Sequence, residues 1–370
     1  MEQKIQIQAQ RNTGVDAMRV LTTMMVLVVH VLNLGKVLHN CSQTSLSFYV
    51  GLVLLVMCFC AINCYGLISG YVGVYSRIRY SRLALLWLQV MFYNVLSLLL
   101  FKVAKVGWPG VGTVLDAFTP TLHISFWYFT AYAAVFMLLP VLNKGLQALT
   151  PRQARFLCWV IVVVFSVLPE LVAYDSFNTW DGYSPIWLIL VYILGGCMRR
   201  GEVFAKTRTI WLVLGYALGV VVTTATRLLL GDGYIQIFSI IYYTGNMFFA
   251  TSSPAMLLCG MFVMGLFARI KITNRAVQKV IGFLAPTTFG VYLIHAQHDM
   301  RTWIFSLPIF RWIASLPMPA MIGMVFVASV GLFLACAIIE KLRQLLFELL
   351  RLRKGLEKLE AKLLGNLWDE

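Results

Sequence analysis

The chain has 370 residues, of which 60% are hydrophobic and only 12% are charged. Because about 25% of the residues in an ordinary soluble domain are charged, this composition excludes a water-soluble globular protein. The net charge of +15 does not indicate a nucleic-acid-binding protein, since such proteins gather their basic residues on one soluble face and here they lie between apolar segments.

Apolar segments recur along the chain, and most approach the ~20 residues that a helix needs to cross the hydrocarbon. The first, at about 17–38, is too long for the core of a signal peptide and lacks a small-residue cleavage site, so we predict a retained helix. Hydropathy predicts about ten transmembrane helices, near 17–38, 47–69, 83–104, 124–143, 156–174, 184–198, 210–230, 252–270, 283–298 and 319–340. In the segment 232–251, aromatic residues alternate with polar ones, which leaves a loop, a re-entrant segment and an extra helix as alternatives.

The distribution of lysine and arginine predicts the orientation, because cytoplasmic loops retain positive charge during insertion. With a cytoplasmic N-terminus, 24 of the 30 basic residues fall in cytoplasmic segments. The six left for the outer side are Lys36, Lys102, Lys105, Arg227, Arg301 and Arg311. We therefore predict an all-α polytopic bundle with both termini in the cytoplasm.

The C-terminal segment has the pattern of an amphipathic helix. Leucines at spacings of three and four run through it amid charged residues, at Leu342, Leu345, Leu349, Leu352, Leu356, Leu359 and Leu363. One helix with this pattern either lies on the anionic inner leaflet or pairs in a short coiled coil, and Gly355 disfavours the coiled coil. We thus divide the chain into a transmembrane domain, 1–340, and a cytoplasmic tail, 341–370.

The eight cysteines do not indicate a disulfide framework or a metal site. All except Cys41 fall within predicted membrane helices. Cys58, Cys60 and Cys64 are close in sequence, but a zinc site usually requires a C-x-x-C pair with a second pair of ligands elsewhere. We expect no bound metal.

The first helix carries two ionisable residues on one face. Arg19 and His30 are eleven residues apart, which is about three helical turns and ~16 Å of rise. A histidine at mid-membrane depth is costly unless it faces protein or a wet cavity, so His30 is either a functional residue or part of a hydrogen-bonded helix interface. Asp16 lies three residues before Arg19 and is placed to pair with it.

The loop after the second predicted helix contains Arg77, Arg79 and Arg82. Three arginines at the membrane surface can form a phosphate clamp, because guanidinium groups bind phosphate oxygens in a bidentate way. The positive-inside rule alone also explains basic residues in a short cytoplasmic loop.

Four further residues are candidates for holding a substrate on the outer side. Trp127, Tyr128, Tyr132 and His295 offer aromatic faces and polar tips that suit sugars. Tryptophan and tyrosine are also enriched at membrane interfaces regardless of function, so an interfacial role remains an alternative. Gly66 and Gly70, four residues apart, predict close packing between helices.

Several stretches, taken in order, resemble the acyltransferase family 3 of integral membrane acyltransferases. They are Arg19 followed after ten residues by His30; Asn63 to Tyr71, with its Ser-Gly-Tyr ending; Arg79-Tyr-Ser-Arg82; Phe126 to Tyr132, leading to Pro140 to Asn143; Gly182 to Trp187, leading to Gly195 and Gly196; and Phe289 to His295. The resemblance covers most of the chain.

The resemblance implies a bacterial cell-membrane enzyme that moves an acyl group, in the simplest case acetyl, from cytoplasmic acyl-coenzyme A to a hydroxyl of a cell-surface glycan or its lipid-linked precursor. In this hypothesis acyl-coenzyme A is a donor substrate held by Arg77, Arg79 and Arg82, and no cofactor is permanently bound. His30 acts as general base or as transient acyl carrier, with Arg19 and Asp16 beside it. Besides membrane lipids, the expected partners are a second copy of the chain or a separate extracytoplasmic protein.

Two other classes of function fit the same residues. A transporter or flippase would use His30 and Arg19 as proton relay and anion site, but the sequence shows no repeated halves. A scaffold or receptor subunit would bind no coenzyme and would tolerate substitution of His30.

Overall fold

A computed structural model of the chain describes residues 12–103, 115, 117–119, 126–237, 240–243, 245 and 247–365. Within these residues, eight helical segments are long and apolar enough to cross a membrane: Thr13–Asn40, Leu46–Gly73, Tyr80–Val103, Trp127–Ala148, Pro151–Val172, Thr209–Leu230, Arg275–Ala296 and Ala320–Leu349. Two shorter helices, Pro185–Arg200 and Pro254–Phe267, correspond to the other two predicted spans. The prediction of a polytopic helical bundle is confirmed.

Kinks and short turns divide several of these spans. The N-terminal half contains α1 (Thr13–Asn33), α2 (Val37–Asn40), α3 (Leu46–Phe59), α4 (Ala61–Gly73), α5 (Tyr80–Val103), α6 (Trp127–Ala148), α7 (Pro151–Val162), a π-helical turn (Val163–Val167) and α8 (Leu168–Val172). After a 3-10 turn (Trp180–Gly182) follow α9 (Pro185–Arg200), α10 (Thr209–Leu230), α11 (Pro254–Phe267) and α12 (Arg275–Leu284). A second 3-10 turn (Ala285–Thr287) leads to α13 (Thr288–Ala296), α14 (His298–Phe305), α15 (Pro308–Ser315), α16 (Ala320–Leu349) and α17 (Leu352–Leu364).

Glycines bring α4 and α9 into backbone contact. A Cβ atom at Gly70 would overlap the carbonyl group of Tyr192, and one at Gly195 would overlap the carbonyl group of Leu67. Gly66 likewise packs against the side chain of Val191. The close packing predicted from the Gly66–Gly70 spacing is therefore present, and it fixes α4 beside α9.

Buried polar side chains tie α9 to its neighbours. The indole of Trp187 donates to Asn63 of α4 at 2.9 Å, and Asn63 donates to the carbonyl of Thr251 at 2.7 Å. The hydroxyl of Tyr192 donates to Asn143 of α6 at 2.7 Å. Because each group would be costly to bury alone, these bonds hold α4, α6 and α9 in one arrangement.

The segment 232–251 contains a β-hairpin, which was not among the alternatives derived from the sequence. Strands β1 (Tyr234–Ile237) and β2 (Ile240–Tyr243) pair antiparallel, while residues 238, 239, 244 and 246 lie outside the described residues. Isoleucine and tyrosine are strong strand formers, which explains the hairpin. Glu170 of α8 accepts a hydrogen bond from the backbone of Phe248 at 2.7 Å and so anchors the segment after the hairpin.

The C-terminal amphipathic helix is present, but it begins later than the leucine spacing predicts. Helix α16 continues past residue 340 to Leu349, so the predicted domain boundary falls inside this helix. Arg351 then adopts a left-handed conformation (φ 52°), which ends one helix and starts α17. Helix α17 lies against the start of α5, where Glu360 accepts from the backbone of Tyr80 at 2.5 Å.

Candidate active site

A cavity of about 500 Å³ lies inside the bundle, between α1, α3, α4, α6, α13 and α14. This volume is in the usual range of small-molecule sites, about 300–1,000 Å³. The lining residues with polar groups are Arg19, His30, Tyr65, Ser69, Trp127, Tyr128, Tyr132, Tyr183, Thr288, Tyr292, His298 and Arg301, and the others, among them Phe59 and Phe289, are apolar.

Helix α1 contributes two of its three ionisable residues to this cavity. Arg19 and His30 line the wall together with Val26, as expected for residues on one face of a helix. Arg19 is bonded to Asp16 at 2.7 Å, and the side chain of Asp16 is only 5% exposed whereas that of Arg19 is 34% exposed. The buried carboxylate therefore holds the guanidinium at the cavity wall, about 16 Å along the helix from His30.

His30 packs against His295 of α13. Their ring centroids are 5.1 Å apart and the planes are inclined by 59°. His295 is fully buried, and its Nδ1 lies 2.5 Å from the carbonyl oxygen of Val291. Because a carbonyl can only accept, this Nδ1 carries the proton and Nε2 of the neutral ring carries the lone pair.

Two ring nitrogens of this histidine pair, Nδ1 of His30 and Nε2 of His295, are buried and have no hydrogen-bond partner among the described residues. His30 lines the cavity although its Nδ1 is buried, so the Nε2 edge of its ring is the edge turned toward the cavity. His295 lies behind His30 and does not line the cavity, which differs from the substrate contact considered from the sequence.

Helix α6 supplies an aromatic wall. Trp127, Tyr128 and Tyr132 all line the cavity, so three of the four residues considered for substrate binding lie in the same space as His30. The rings of Tyr128 and Tyr132 are nearly parallel, 11° apart in orientation and 6.5 Å between centroids. Trp127 packs on Tyr183 at 4.9 Å, which connects the wall to the loop before α9.

The arginine loop lies outside the cavity wall. Arg77, Arg79 and Arg82 are not among the residues that line the cavity. Arg79 forms an ion pair with Glu357 of α17 at 3.4 Å. Arg82 is exposed, one helical turn before Leu86, which does line the cavity, and residues four apart share a face of a helix. The loop is thus next to the cavity, with α17 lying across it.

Sequence reasoning did not assign the remaining polar wall residues to the site. Tyr65 bonds Thr23 of α1 at 2.5 Å, and Arg301 lies 3.5 Å from Nδ1 of His298. Arg301 could have been identified as a candidate, because it is one of the six basic residues on the predicted outer side. Tyr65 and His298 carried no signal, because only the packing of distant helices places them together.

Membrane-spanning helices around an internal cavity with two histidines, two arginines and several phenols define a polytopic membrane protein with a buried polar site. Residues 12–340 match the model of acyltransferase family 3, described as an acyltransferase domain. The chain belongs to this family and is a membrane acyltransferase. No curated protein and no solved structure matches the chain.

Proposed function

We propose that this acyltransferase moves an acyl group, in the simplest case acetyl, from cytoplasmic acyl-coenzyme A to a hydroxyl of a cell-surface glycan or its lipid-linked precursor, in the bacterial cytoplasmic membrane. The observation that supports this proposal is that one cavity contains Arg19, His30 and the aromatic wall of α6. A phosphate-binding group, a base and a sugar-stacking surface are the three parts that such a reaction needs.

The donor enters from the end of the cavity that contains Arg19. Arg82 lies one helical turn before Leu86 of the cavity wall, with Arg79 three residues earlier, and guanidinium groups suit the phosphates of coenzyme A. The pantetheine arm then extends along α1 and brings the thioester to His30. In this role the Asp16 carboxylate keeps Arg19 aimed at the cavity.

His30 acts as the general base for the acceptor hydroxyl. Its neutral Nε2 takes the hydroxyl proton as the oxygen bonds to the thioester carbonyl carbon. The carbon–sulfur bond then breaks, and the same proton passes from Nε2 to the departing thiolate. The ester and the free thiol of coenzyme A are the products, and the imidazole returns to its neutral form.

His295 positions His30 for this step. If either ring turns so that Nδ1–H of His30 meets Nε2 of His295, both buried nitrogens acquire a partner. A proton held on Nδ1 leaves the lone pair of His30 on Nε2, toward the cavity. This is the arrangement in which a second group fixes the tautomer of a catalytic histidine.

The acyl-carrier version of the mechanism uses the same nitrogen. There, Nε2 of His30 attacks the thioester, releases the thiol and passes the acyl group to the hydroxyl in a second step. The two versions differ in one measurable respect. A carrier forms an acyl-enzyme with donor alone, whereas a base requires donor and acceptor together.

The proposal is tested by mass analysis of surface glycans from cells with and without the gene, combined with assays of the purified, reconstituted protein. We expect one acyl mass to disappear from the glycans, and labelled acetyl-coenzyme A to pass its label to the acceptor when the acceptor is present. Transport of the labelled acetyl-coenzyme A across the membrane without reaction would instead indicate a transporter. Unchanged glycans and unreacted acetyl-coenzyme A would contradict acyl transfer.

A further inference from the structure

A second pocket, of about 360 Å³, lies between the α1–α2 junction and the helices α14 and α15. Three basic residues line it, Lys36, Arg301 and Arg311, together with the hydroxyls of Thr302 and Ser306. None of the described residues that line the pocket is acidic. Cations gathered without carboxylates form a site for an anion. The hydroxyls of Thr302 and Ser306 are not the anion donors, because they donate to the carbonyls of His298 and Trp303 at 2.9 and 2.8 Å.

The number of cations in this pocket is high for its position. In the predicted orientation only six basic residues lie on the outer side, and three of them line this one pocket. Topology does not explain the cluster, since the positive-inside rule favours basic residues on the opposite side. Lys36 also adopts a left-handed backbone conformation (φ 55°), which is unfavourable for a side chain other than glycine or asparagine. Such strained residues concentrate at functional sites.

The pocket adjoins the catalytic cavity. Arg301 lines both spaces. Phe305, which lines the basic pocket, also packs edge-on against His30 with ring centroids 6.0 Å apart. A ligand with its anionic group in the pocket therefore lies one side chain away from His30, at the end of α1 opposite to Arg19.

We propose that this pocket binds a phosphate or diphosphate group of the acceptor, so that the acceptor is a phosphate-bearing lipid-linked sugar whose hydroxyl reaches His30. This inference rests on the proposed function for the identity of the acceptor. The pocket itself is a separate site from the arginine loop and recognises a different substrate. Lys36 and Arg311 are exposed, which suits a headgroup that arrives from the membrane surface.

The test measures binding and needs no turnover. Purified full-length protein in phosphatidylcholine nanodiscs is titrated with a short prenyl diphosphate, with inorganic diphosphate and with phosphatidylglycerol. We expect the prenyl diphosphate to bind, and Lys36→Asn with Arg311→Gln to weaken binding about tenfold or more, because charge-assisted hydrogen bonds are lost. Asparagine tolerates the left-handed conformation at position 36, and Lys36→Arg with Arg311→Lys should retain binding.

Lys271→Ala, which removes an exposed cation elsewhere, is the matched control and should bind as the wild type does. Equal competition by phosphatidylglycerol would show a general site for phospholipid headgroups and overturn the proposal. Absence of prenyl diphosphate binding, or equal binding by the Lys36 and Arg311 variants, would overturn it as well. Because no acyl transfer is measured, these results are independent of whether the proposed reaction is correct.

Discussion

The imidazole of His295 lies behind that of His30, with 5.1 Å between ring centroids, and in the part of the chain that the structure describes one buried nitrogen of each ring has no hydrogen-bond partner. His30 meets the cavity, whereas His295 is bonded to the carbonyl of Val291 and is enclosed by protein. The two residues are separated by 265 positions in the chain, and the packing of α13 against α1 brings them together. In the proposed mechanism, this arrangement gives His295 a positioning role.

We expect His295→Phe to lower kcat about 10- to 100-fold, the usual effect of removing a group that orients a functional histidine. Phenylalanine fills the buried space but lacks Nε2. The KM for acyl-coenzyme A should stay unchanged, because His295 does not line the cavity. Steady-state kinetics measure both quantities, with His39→Phe as an exposed control. Wild-type kcat in the His295 variant would contradict the positioning role.

Glu357 of α17 competes with phosphate for Arg79 in the proposed mechanism. Replacing it with glutamine removes an ion pair of 3.4 Å between two partly exposed side chains. Such pairs contribute about 0.2–1 kcal/mol, so the KM for acyl-coenzyme A should fall about 1.5- to 5-fold. Glu348→Gln, an exposed glutamate on α16, is the control and should leave KM unchanged. An unaltered KM in the Glu357 variant would show that the ion pair with α17 does not affect donor binding.

Gly70 is required for the contact between α4 and α9. Gly70→Ala forces a methyl group into the backbone of Tyr192, which we expect to cost about 1–3 kcal/mol or more. Gly145→Ala in α6 meets open space and should be neutral or stabilising by up to about 1 kcal/mol, because alanine favours a helix. Thermal unfolding in detergent compares the two variants. Equal thermal midpoints for the two variants would show that Gly70 does not pack against the backbone of Tyr192.

The bundle and the first-helix pair could be predicted because each depends on local sequence. Hydropathy determines a membrane span within some twenty residues, and helix geometry alone places Arg19 and His30 on one face. Tyr128 and Tyr132 share a face of α6 for the same reason, since they are four residues apart, and their role in substrate binding stays a prediction.

Features that depend on distant partners were missed. Nothing near Arg79 in sequence indicates its pairing with Glu357, and nothing near His295 indicates that it lies behind His30. The paired strands at 234–237 and 240–243 were overlooked because a hydropathy profile is used to find helices, although their isoleucines and tyrosines favour strands. The end of α16 at Leu349 was missed because the leucine spacing continues through the left-handed residue Arg351.

Asp175 should make the loop before α9 sensitive to acid. Burial alone raises the pKa of its carboxyl, but hydrogen bonds from Thr179 and from the backbone of Trp180, at 2.7–2.9 Å, lower the pKa below its ordinary value of 3.8. A carboxyl with a lowered folded-state pKa stabilises the fold above the unfolded pKa, and this stabilisation is lost as pH falls through the folded pKa.

Asp175→Asn should therefore lower the thermal midpoint at pH 7, and its difference from the wild type should shrink as the pH falls below about 3.8. Thermal unfolding followed from pH 7 to pH 3 gives this difference directly. A difference that stays constant over the whole range would show that ionisation of Asp175 does not stabilise the loop.

The most direct test of acyl transfer at His30 is the rate of acetyl transfer by purified, reconstituted His30→Gln, measured beside binding of acetyl-coenzyme A. Glutamine retains a polar side chain but cannot act as a base or an acyl carrier. We predict that kcat falls about 10²- to 10⁴-fold while acetyl-coenzyme A still binds, and that His39→Gln behaves as the wild type. Acetyl transfer at the wild-type rate by His30→Gln would contradict the central role of this residue.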